Sequence, residues 1–176
     1  MKPLPLGRVY QLLEPGPVVM LTTARKGRPN VMAMSWHMMV EFEPPLIACV
    51  CSSANYSFEA LRATGECVIA LPARKLAAKV VKAGNISGRS ADKFKACGLT
   101  PLEAEQVQAP LIKECFANIE CKVADRAMVN RYNLFILQGV QAWIDPKQKN
   151  PKTIHHHGYG KFVVDGATIR LKSAKA

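Results

Sequence analysis

The hydrophobic pattern of this chain predicts mostly β-strands. Short apolar and β-branched runs alternate with turn residues such as Gly27 and Pro29, which favours strands connected by tight turns. Two prolines precede the third run, where they start a strand without needing ladder N–H groups. The strands predicted in this way cover residues 17–24, 30–37, 44–52, 66–72, 115–129 and 133–145.

Two segments show helical spacing instead. In 53–65, Phe58 and Leu61 are three residues apart, Asn55 or Ser57 is placed to cap the start, and Gly65 to end the helix. In 74–85, apolar residues fall on one face and lysines on another, which predicts an amphipathic helix.

The remaining segments are less regular. Residues 87–101 are polar and have room for one or two helical turns, and 155–160 reads as a glycine loop. We expect a hairpin over 161–171, with Asp165 and Gly166 at its turn. The sum is a mainly β domain with short helices, spanning 1–176, whose antiparallel sheet closes as a barrel or sandwich.

The segment 30–36, NVMAMSW, has two unlike faces when read with period two. Val31, Ala33 and Ser35 form a small face. Asn30, Met32, Met34 and Trp36 form a large, soft face. This face is either ordinary core or one wall of a slot for a flat ligand.

The net charge of +11 shows that the chain suits anionic partners without saying which. Residues 145–176 hold seven Lys or Arg against two Asp. One hypothesis is a nucleic-acid-binding β-barrel. Such barrels interleave aromatic and basic residues on exposed strands, whereas only 7% of these residues are aromatic and most lie in apolar runs. Nucleic acid is therefore the less favoured partner, and a solvated basic face explains the charge equally well.

Cysteine usage and the N-terminal pattern both point to a cytoplasmic protein. None of the six cysteines forms a CxxC pair, and most lie in apolar runs, which favours reduced, buried thiols over disulfides. The N-terminal segment is broken by prolines and lacks the apolar core of a secretory signal. No run approaches the roughly 18 apolar residues of a membrane span.

Standard catalytic motifs are absent from the sequence. There is no GxSxG, HExxH, P-loop or GxGxxG pattern, and the 13 acidic residues are scattered. The histidine run 155–157 suggests a metal, but adjacent strand residues alternate faces, so three in a row rarely hold one ion. We predict no metal site here. The run is read as an exposed loop, or as one imidazole lining a pocket.

The stretch 52–57, SSANYS, follows a strand and opens a helix, where free N–H groups favour a phosphate. Its side-chain donors would come from Ser52, Ser53, Asn55 and Ser57. The alternative is an ordinary helix cap. Lys93, Arg89 and Arg131 are candidate cations for the same ligand, although each alone also reads as a surface charge.

The order of these pieces resembles the flavin reductase-like family, and within it the flavoredoxin branch. The order is a strand, NVMAMSW, a proline pair, a strand, the serine-rich helix start, a basic helix, SGRSADKF, two long strands and HHGYGKFVVDG. The resemblance covers about 18–169. It implies an FMN-binding split β-barrel of antiparallel Greek-key type, and a homodimer with FMN near the interface.

The resemblance also implies which residues hold FMN. Asn30 would contact the ring edge, the backbone from Met32 to Trp36 would run along the ring, and Ser57 with Lys93 would hold the phosphate. The other implied contacts are Ala33, Met34, Ser35, Ser52, Ser53, Asn55, Asn133 and Phe162. From its position alone, we add His156 or His157 as a further pocket contact. Some relatives carry a histidine at the position of Asn133, so this contact departs from that pattern.

A flavin-dependent oxidoreductase or electron carrier is the function that the resemblance implies. NADH, NADPH or a redox protein would supply electrons, and the chemistry would occur at flavin N5 without a catalytic side chain. That agrees with the lack of catalytic motifs. A flavin-binding module without turnover, acting as a store or sensor, fits the same residues.

Overall fold

The computed structural model describes residues 16–172, and its main element is a seven-stranded antiparallel sheet. Its strands are β1 (Val19–Arg25), β2 (Arg28–Met34), β3 (His37–Glu41), β4 (Leu46–Val50), β5 (Glu66–Leu71), β8 (Ala117–Asp125) and β9 (Leu134–Ile144). Two small two-stranded sheets complete the β-structure: β6 (Pro101–Leu102) with β7 (Leu111–Ile112), and β10 (Ile154–His156) with β11 (Phe162–Val164). The mainly antiparallel β fold predicted from the sequence is confirmed.

The strand order forces the sheet to curl. It runs β2-β1-β5-β8-β9-β4-β3, so the two edge strands, β2 and β3, follow each other in the chain. Only Ser35 and Trp36 connect them. A flat seven-stranded sheet would hold its edges roughly 28 Å apart at the usual strand spacing, far beyond the reach of two residues. The sheet therefore rolls into a barrel that is split between β2 and β3.

Side chains alternate between the barrel interior and its outer face, as period two requires. Val19 and Leu21 pack inside with Phe135 and Leu137, whereas Met20 between them joins the cluster on the outer face. In β2, Met34 lies in the interior and Met32 packs against it, while Val31 and Ala33 belong to the outer side. The two faces predicted for NVMAMSW are thus confirmed for these four residues.

Within the described part of the chain, four helices accompany the sheet: α1 (Tyr56–Thr64), α2 (Ala77–Asn85), α3 (Lys93–Cys97) and α4 (Val129–Tyr132). Helix α1 ends at Gly65, whose φ of 71° is left-handed, as the sequence predicts. A 3₁₀ turn, Arg74–Leu76, leads into α2, which packs Val80 and Ala83 on the outer face of the sheet. This packing sets α2 beside the free edge of β2.

The structure corrects three predicted boundaries. The predicted strand 30–37 is divided, because the chain leaves β2 after Met34 and begins β3 at His37. The strand predicted over 115–129 ends at Asp125, and its last residues enter the turn of α4. The strand predicted to begin at 44 begins at Leu46. At 44–45 the two prolines lack the N–H groups that strand pairing needs.

The hairpin predicted over 161–171 is wrong. Phe162–Val164 pairs instead with the preceding Ile154–His156, and 165–172 contains no strand. The carboxylate of Asp165 accepts hydrogen bonds from the N–H and hydroxyl of Thr153 and contacts His155 Nε2 at 2.7 Å. These bonds give Asp165 a partner outside the predicted turn, so Asp-Gly does not reverse the chain here.

All six cysteines are buried and none forms a disulfide, which confirms the prediction of unpaired thiols. Burial raises the pKa of the Cys49 and Cys51 thiols to about 12, so both stay protonated at neutral pH. Among the helices within 16–172, none has the length and apolar character needed to cross a membrane. The N-terminal segment for which we expected no secretory signal lies almost wholly outside the described residues.

Candidate functional site

The free edge of β2 faces α2 and the start of α1, and a cavity of about 250 Å³ lies between them. We call it the Lys93 cavity. The side chains of α1 and the loop 86–89 close its far side. Six of the residues predicted to bind the ligand line it: Asn30, Met32, Ala33, Asn55, Ser57 and Lys93.

A second cavity, also of about 250 Å³, continues along β2 toward the β10–β11 pair. We call it the His156 cavity. It shares Ala33, Gly84 and Asn85 with the Lys93 cavity, so the two meet end to end. The predicted residues that line it are Ala33, Met34, Ser35, His156 and Phe162. From Asn30 to Met34 the strand edge spans roughly 13 Å at the usual rise per residue. The site is therefore a long, narrow trough beside an edge strand.

Two buried polar side chains meet at one end of this trough. The amide of Asn30 donates a 2.8 Å hydrogen bond from Nδ2 to Ser57 Oγ. Both are almost fully buried, with 4% of Asn30 and 1% of Ser57 exposed. The bond joins β2 to the first turn of α1, which fixes the Asn30 carbonyl oxygen and leaves the Ser57 hydroxyl hydrogen available to another acceptor.

The start of α1 is not capped in the ordinary way. Asn55 occupies the N-cap position with extended backbone, but its side chain makes no capping hydrogen bond. The hydroxyl of Ser52 accepts instead from the N–H of Ala54 at 3.3 Å. Because a helix leaves its first N–H groups without intrahelical partners, the uncapped start of α1 presents donors and partial positive charge to the cavity.

Lys93 brings a buried cation to the same end. Only 5% of the residue is exposed, and no carboxylate among residues 16–172 lies within ion-pairing distance of it. Burial lowers the pKa of the Lys93 ammonium, and the nearby Cys97 offsets this lowering only in part. A buried ammonium without an anionic partner is costly. An anion bound in the Lys93 cavity would relieve that cost.

Arg89 adds a second cation at the rim. Its guanidinium donates a 3.1 Å hydrogen bond to the carbonyl of Ala54 and lies 5.9 Å from the centre of the Tyr56 ring. Arg131, the other candidate cation, stacks on Tyr132 in α4 and lines neither cavity. The structure thus brings Lys93 and Arg89 together and leaves Arg131 outside.

The three histidines at 155–157 lie in different surroundings. His156 lines the His156 cavity and lies 5.3 Å from the Phe162 ring across the β10–β11 pair. His155 contacts Asp165, and His157 is exposed and donates its N–H to the Lys161 carbonyl at 2.9 Å. Within 16–172, no cluster of three or more His, Cys, Asp or Glu is arranged to hold a metal ion.

Five predicted contacts line neither cavity: Trp36, Ser52, Ser53, Asn133 and His157. Trp36 is 57% exposed beside the β2–β3 connection, and its carbonyl accepts from the N–H of Val50 at 3.0 Å. Asn133 ends α4 with a left-handed φ of 57°, and its carbonyl accepts from the N–H of Cys51. Their proposed roles in binding stay predictions.

The sequence interpretation missed the wall formed by Tyr56, Gly84, Asn85 and Gly88. A Cβ at Gly84 would meet only the Cβ of Ala33, at 3.7 Å, so glycine there keeps the trough wide. A Cβ at Gly88 would overlap Asn30 Oδ1 and lie 2.5 Å from Tyr56 Cδ1. The available signal was a pair of glycines four residues apart at the end of the basic helix.

The chemistry of the trough differs between its two ends. One end holds a buried cation, a hydroxyl and helix N–H groups, which together suit a phosphate. The other end has the unpaired edge of a strand on one side and an imidazole and a phenyl ring on the other. This combination suits an elongated ligand with a phosphate at one end and a flat ring with polar edges at the other.

Comparison with known proteins agrees with this geometry. Residues 12–162 match the family model described as flavin reductase like domain. An FMN-binding domain of a flavin reductases-like enzyme from Shewanella baltica OS155 has 26% sequence identity and a TM-score of 0.84, with 96% of each chain covered. Flavoredoxin of Desulfovibrio vulgaris (Miyazaki F) has 26% identity and a TM-score of 0.82, with 92% of each chain covered.

An uncharacterized protein from Archaeoglobus fulgidus is 33% identical over 151 residues, which is 82% of this chain and 85% of that protein. The family match over 12–162 takes in the seven-stranded sheet, the residues of the trough and β10. It confirms the flavin reductase-like split-barrel fold that the order of motifs predicted.

We predict opposite stability effects for two glycine-to-alanine substitutions at the trough. Gly88→Ala should lower the free energy of unfolding by about 1–3 kcal/mol, because its Cβ pushes Asn30 off Ser57. Gly84→Ala is the matched control and should be neutral or stabilise by up to about 1 kcal/mol, since it lies in a helix with ordinary contacts. Urea unfolding measures both, and equal losses would contradict the tight packing of Gly88.

Proposed function

Because this chain belongs to the flavin reductase-like family, we propose that it binds FMN in the trough and is an FMN-dependent oxidoreductase or electron carrier. The single observation that carries the proposal is the buried Lys93 ammonium beside the uncapped start of α1, with no carboxylate of residues 16–172 within ion-pairing distance. Electrons would come from NADH, NADPH or a redox protein and pass to an acceptor. The family match and the flavoprotein neighbours support this proposal.

The Lys93 cavity fits the FMN phosphate. A dianionic phosphate needs charge and several hydrogen-bond donors at once. Lys93 would supply the charge, and Ser57 with the first N–H groups of α1 would supply donors. Arg89 would close the site from the rim. Asn30, held by its bond to Ser57, would face the chain that joins the phosphate to the ring.

The His156 cavity fits the flavin ring. The unpaired N–H and C=O groups of the β2 edge would bond the polar edge of the ring, and Gly84 leaves the width that a flat ring needs. His156 and Phe162 would close the opposite side. The side chains of Met32 and Met34 instead pack in the barrel interior, so they would support the strand from behind.

Bound FMN would supply the redox chemistry, and the protein's residues would position it. The edge of β2 fixes the in-plane orientation of the ring, because strand N–H and C=O groups have fixed directions. The surrounding apolar side chains keep water from the ring, and backbone hydrogen bonds to its polar edge tune its potential. No side chain of the trough is required as an acid, base or nucleophile.

We also propose that the protein is a homodimer. Strand β3 forms an edge of the sheet and exposes consecutive large apolar side chains: Met38 at 64%, Met39 at 52% and Val40 at 49%, with Phe42 beyond it at 89%. An exposed apolar edge strand is a docking surface. Trp36 lies immediately before this strand, so a second copy docked here would bury it beside the flavin site.

We also propose that the protein is located in the cytoplasm. The six unpaired thiols suit a reducing compartment, where disulfides do not persist.

The first test is the absorbance spectrum of the protein with FMN, followed by NADH or NADPH without oxygen. We expect flavin bands to stay with the protein through gel filtration and to bleach with one of the two nicotinamides. Bound flavin that neither nicotinamide reduces would favour a carrier fed by a protein, or a sensor. Lack of any FMN binding would contradict the proposal.

Two substitutions test the phosphate end. Ser57→Ala should raise the FMN Kd about 3- to 10-fold, and Lys93→Met about 10- to 100-fold, because the second removes a charged donor. Lys95→Met is the matched control: Lys95 lies on the same helix but is exposed, so the Kd should not change. Titration of the apoproteins measures all three, and equal Kd values for Lys93→Met and wild type would remove Lys93 from the site.

The dimer is tested by molar mass in solution. The double variant Met38→Lys, Phe42→Lys should be monomeric, since two charges would be buried at the interface. Leu102→Lys serves as the control, because Leu102 is also exposed but lies on a small separate sheet. Light scattering after gel filtration reports the mass. A monomeric wild-type protein, or a dimeric double variant, would exclude β3 as the dimer surface.

A further inference from the structure

The mouth of the His156 cavity lies between α2 and the turn that joins β10 to β11. Val81 and Gly84 line the cavity from α2, and Gly160 lines it from the turn. All three residues are exposed, so this is where solvent reaches the proposed ring site. A protein that exchanges electrons with a flavin bound there must dock at this mouth, because electron transfer slows steeply with the distance between redox centres.

The surface around this mouth is basic. The two segments that border it, 74–85 and 150–162, contain no Asp or Glu. Their cations are Arg74, Lys75, Lys79, Lys82, Lys152 and Lys161, which we call the basic rim. Lys82 follows Val81 in α2 and Lys161 follows Gly160 in the turn, and both lysines are exposed. The rim therefore places positive charge on both sides of the mouth.

Carboxylates of neighbouring elements leave this charge largely uncompensated. Those nearest to the basic rim are Glu114, Asp145 and Asp165, which accept hydrogen bonds from Thr100, Gln148 and Thr153, respectively. Within 16–172, no carboxylate lies within ion-pairing distance of a rim cation. The positive charge of the rim is consequently open to an anionic partner.

An exposed aromatic side chain lies beside the mouth. Tyr159 is 91% exposed and stands between Gly158 and Gly160 in the turn. All three residues have left-handed φ, of 83°, 51° and 75° along the chain. Because a left-handed φ is unfavourable for tyrosine, the turn holds this ring in solvent at an energetic cost. Tyrosines are enriched among the residues that contribute most to binding at protein interfaces.

The extent of the surface favours a protein over a small anion. From Lys75 to Lys82 the helical segment extends over roughly 10 Å at the usual rise per residue, and Lys161 adds a second element. A small anion would contact only part of this surface. Transient complexes between redox proteins use small interfaces, of less than about 1,200 Å² in total.

We propose that the basic rim and Tyr159 form the docking surface for an acidic one-electron carrier protein. The inference rests on the proposed function, because it needs FMN in the His156 cavity. Two reduced carriers would each lose one electron, and one bound FMN would gain two electrons and take up two protons from water. Opposite charges would speed the encounter, and the Tyr159 ring would hold the docked carrier beside the flavin.

The experiment measures how fast a reduced, acidic [2Fe–2S] ferredoxin reduces the FMN-loaded protein in stopped flow without oxygen. The double variant Lys82→Glu, Lys161→Glu should lower the second-order rate constant about tenfold at low salt, and Tyr159→Ala about threefold. Lys26→Glu, Arg131→Glu is the matched control with the same change of charge, and should change the rate constant less than twofold. Lys26 lies in the β1–β2 turn, at the other end of β2, and Arg131 lies on α4.

Two further measurements separate docking from damage to the flavin site. None of the five substituted residues lines the Lys93 or the His156 cavity, so the FMN Kd should not change. Oxidised cytochrome c, a basic protein, serves as a probe of opposite charge. The variant Lys82→Glu, Lys161→Glu should speed electron transfer from the reduced protein to cytochrome c while it slows the ferredoxin reaction, which a loss of structure would not do.

The outcomes distinguish this inference from the proposed function. Lack of reduction by ferredoxin would overturn the inference, and so would a rate that does not depend on salt or that falls equally in the matched control. If the rim variant slowed reduction by NADPH and not by ferredoxin, the rim would belong to a nucleotide, and the inference would also be wrong. In each of these cases the FMN site would stand. Failure to bind FMN would reject the proposed function itself.

Discussion

The two-residue connection between the edge strands is the constraint on which the rest of this structure depends. Because only Ser35 and Trp36 separate β2 from β3, the sheet must bring its two edges together, yet the two strands do not pair. One edge, β2, is thereby left open beside α2, and the other, β3, is left open with its apolar side chains exposed. An unpaired strand edge of this kind either binds a partner or promotes aggregation. We assign both edges to binding, one to a flavin and the other to a second copy.

The strand edge and the helix start suit different parts of a ligand in the same trough. An edge strand offers N–H and C=O groups in alternation along a straight line, which suits the polar rim of a flat ring. A helix start offers only donors, concentrated at one point, which suits a phosphate. The Asn30–Ser57 hydrogen bond joins the two elements where their roles meet. The spacing between the proposed ring site and the proposed phosphate site is consequently set by two regular elements and by the buried side-chain hydrogen bond between them.

Much of this arrangement was predictable from the sequence, because it follows from local patterns. Period two in NVMAMSW separates Met32 and Met34 from Val31 and Ala33, and the structure places the pairs on opposite sides of the sheet. Gly65 ends α1 with a left-handed φ. The serine-rich stretch and Lys93 were also identified, and Ser57 and Lys93 line one cavity although they are 36 positions apart in the sequence.

What the sequence did not predict depends on contacts between distant segments. Asp165-Gly166 has ordinary hairpin chemistry, but Thr153 and His155 engage the Asp165 carboxylate, so β11 pairs backward with β10. The importance of Gly88 cannot be read locally either, because it arises from the approach of Asn30 and Tyr56 from two other elements. Local sequence preference determines the structure of a segment only where no distant residue forms more favourable contacts with it.

The net positive charge is a further feature whose partner the sequence alone could not identify. A net charge of +11 attracts any polyanion and chooses none. Burial makes the choice: an exposed lysine keeps its water shell with or without a ligand, whereas Lys93 has lost most of that shell and has no carboxylate beside it within the described chain. Its charge becomes favourable only when an anion enters a cavity of about 250 Å³. A cavity of that size admits a small phosphate ester, so this buried cation specifies its partner more narrowly than the exposed cations do.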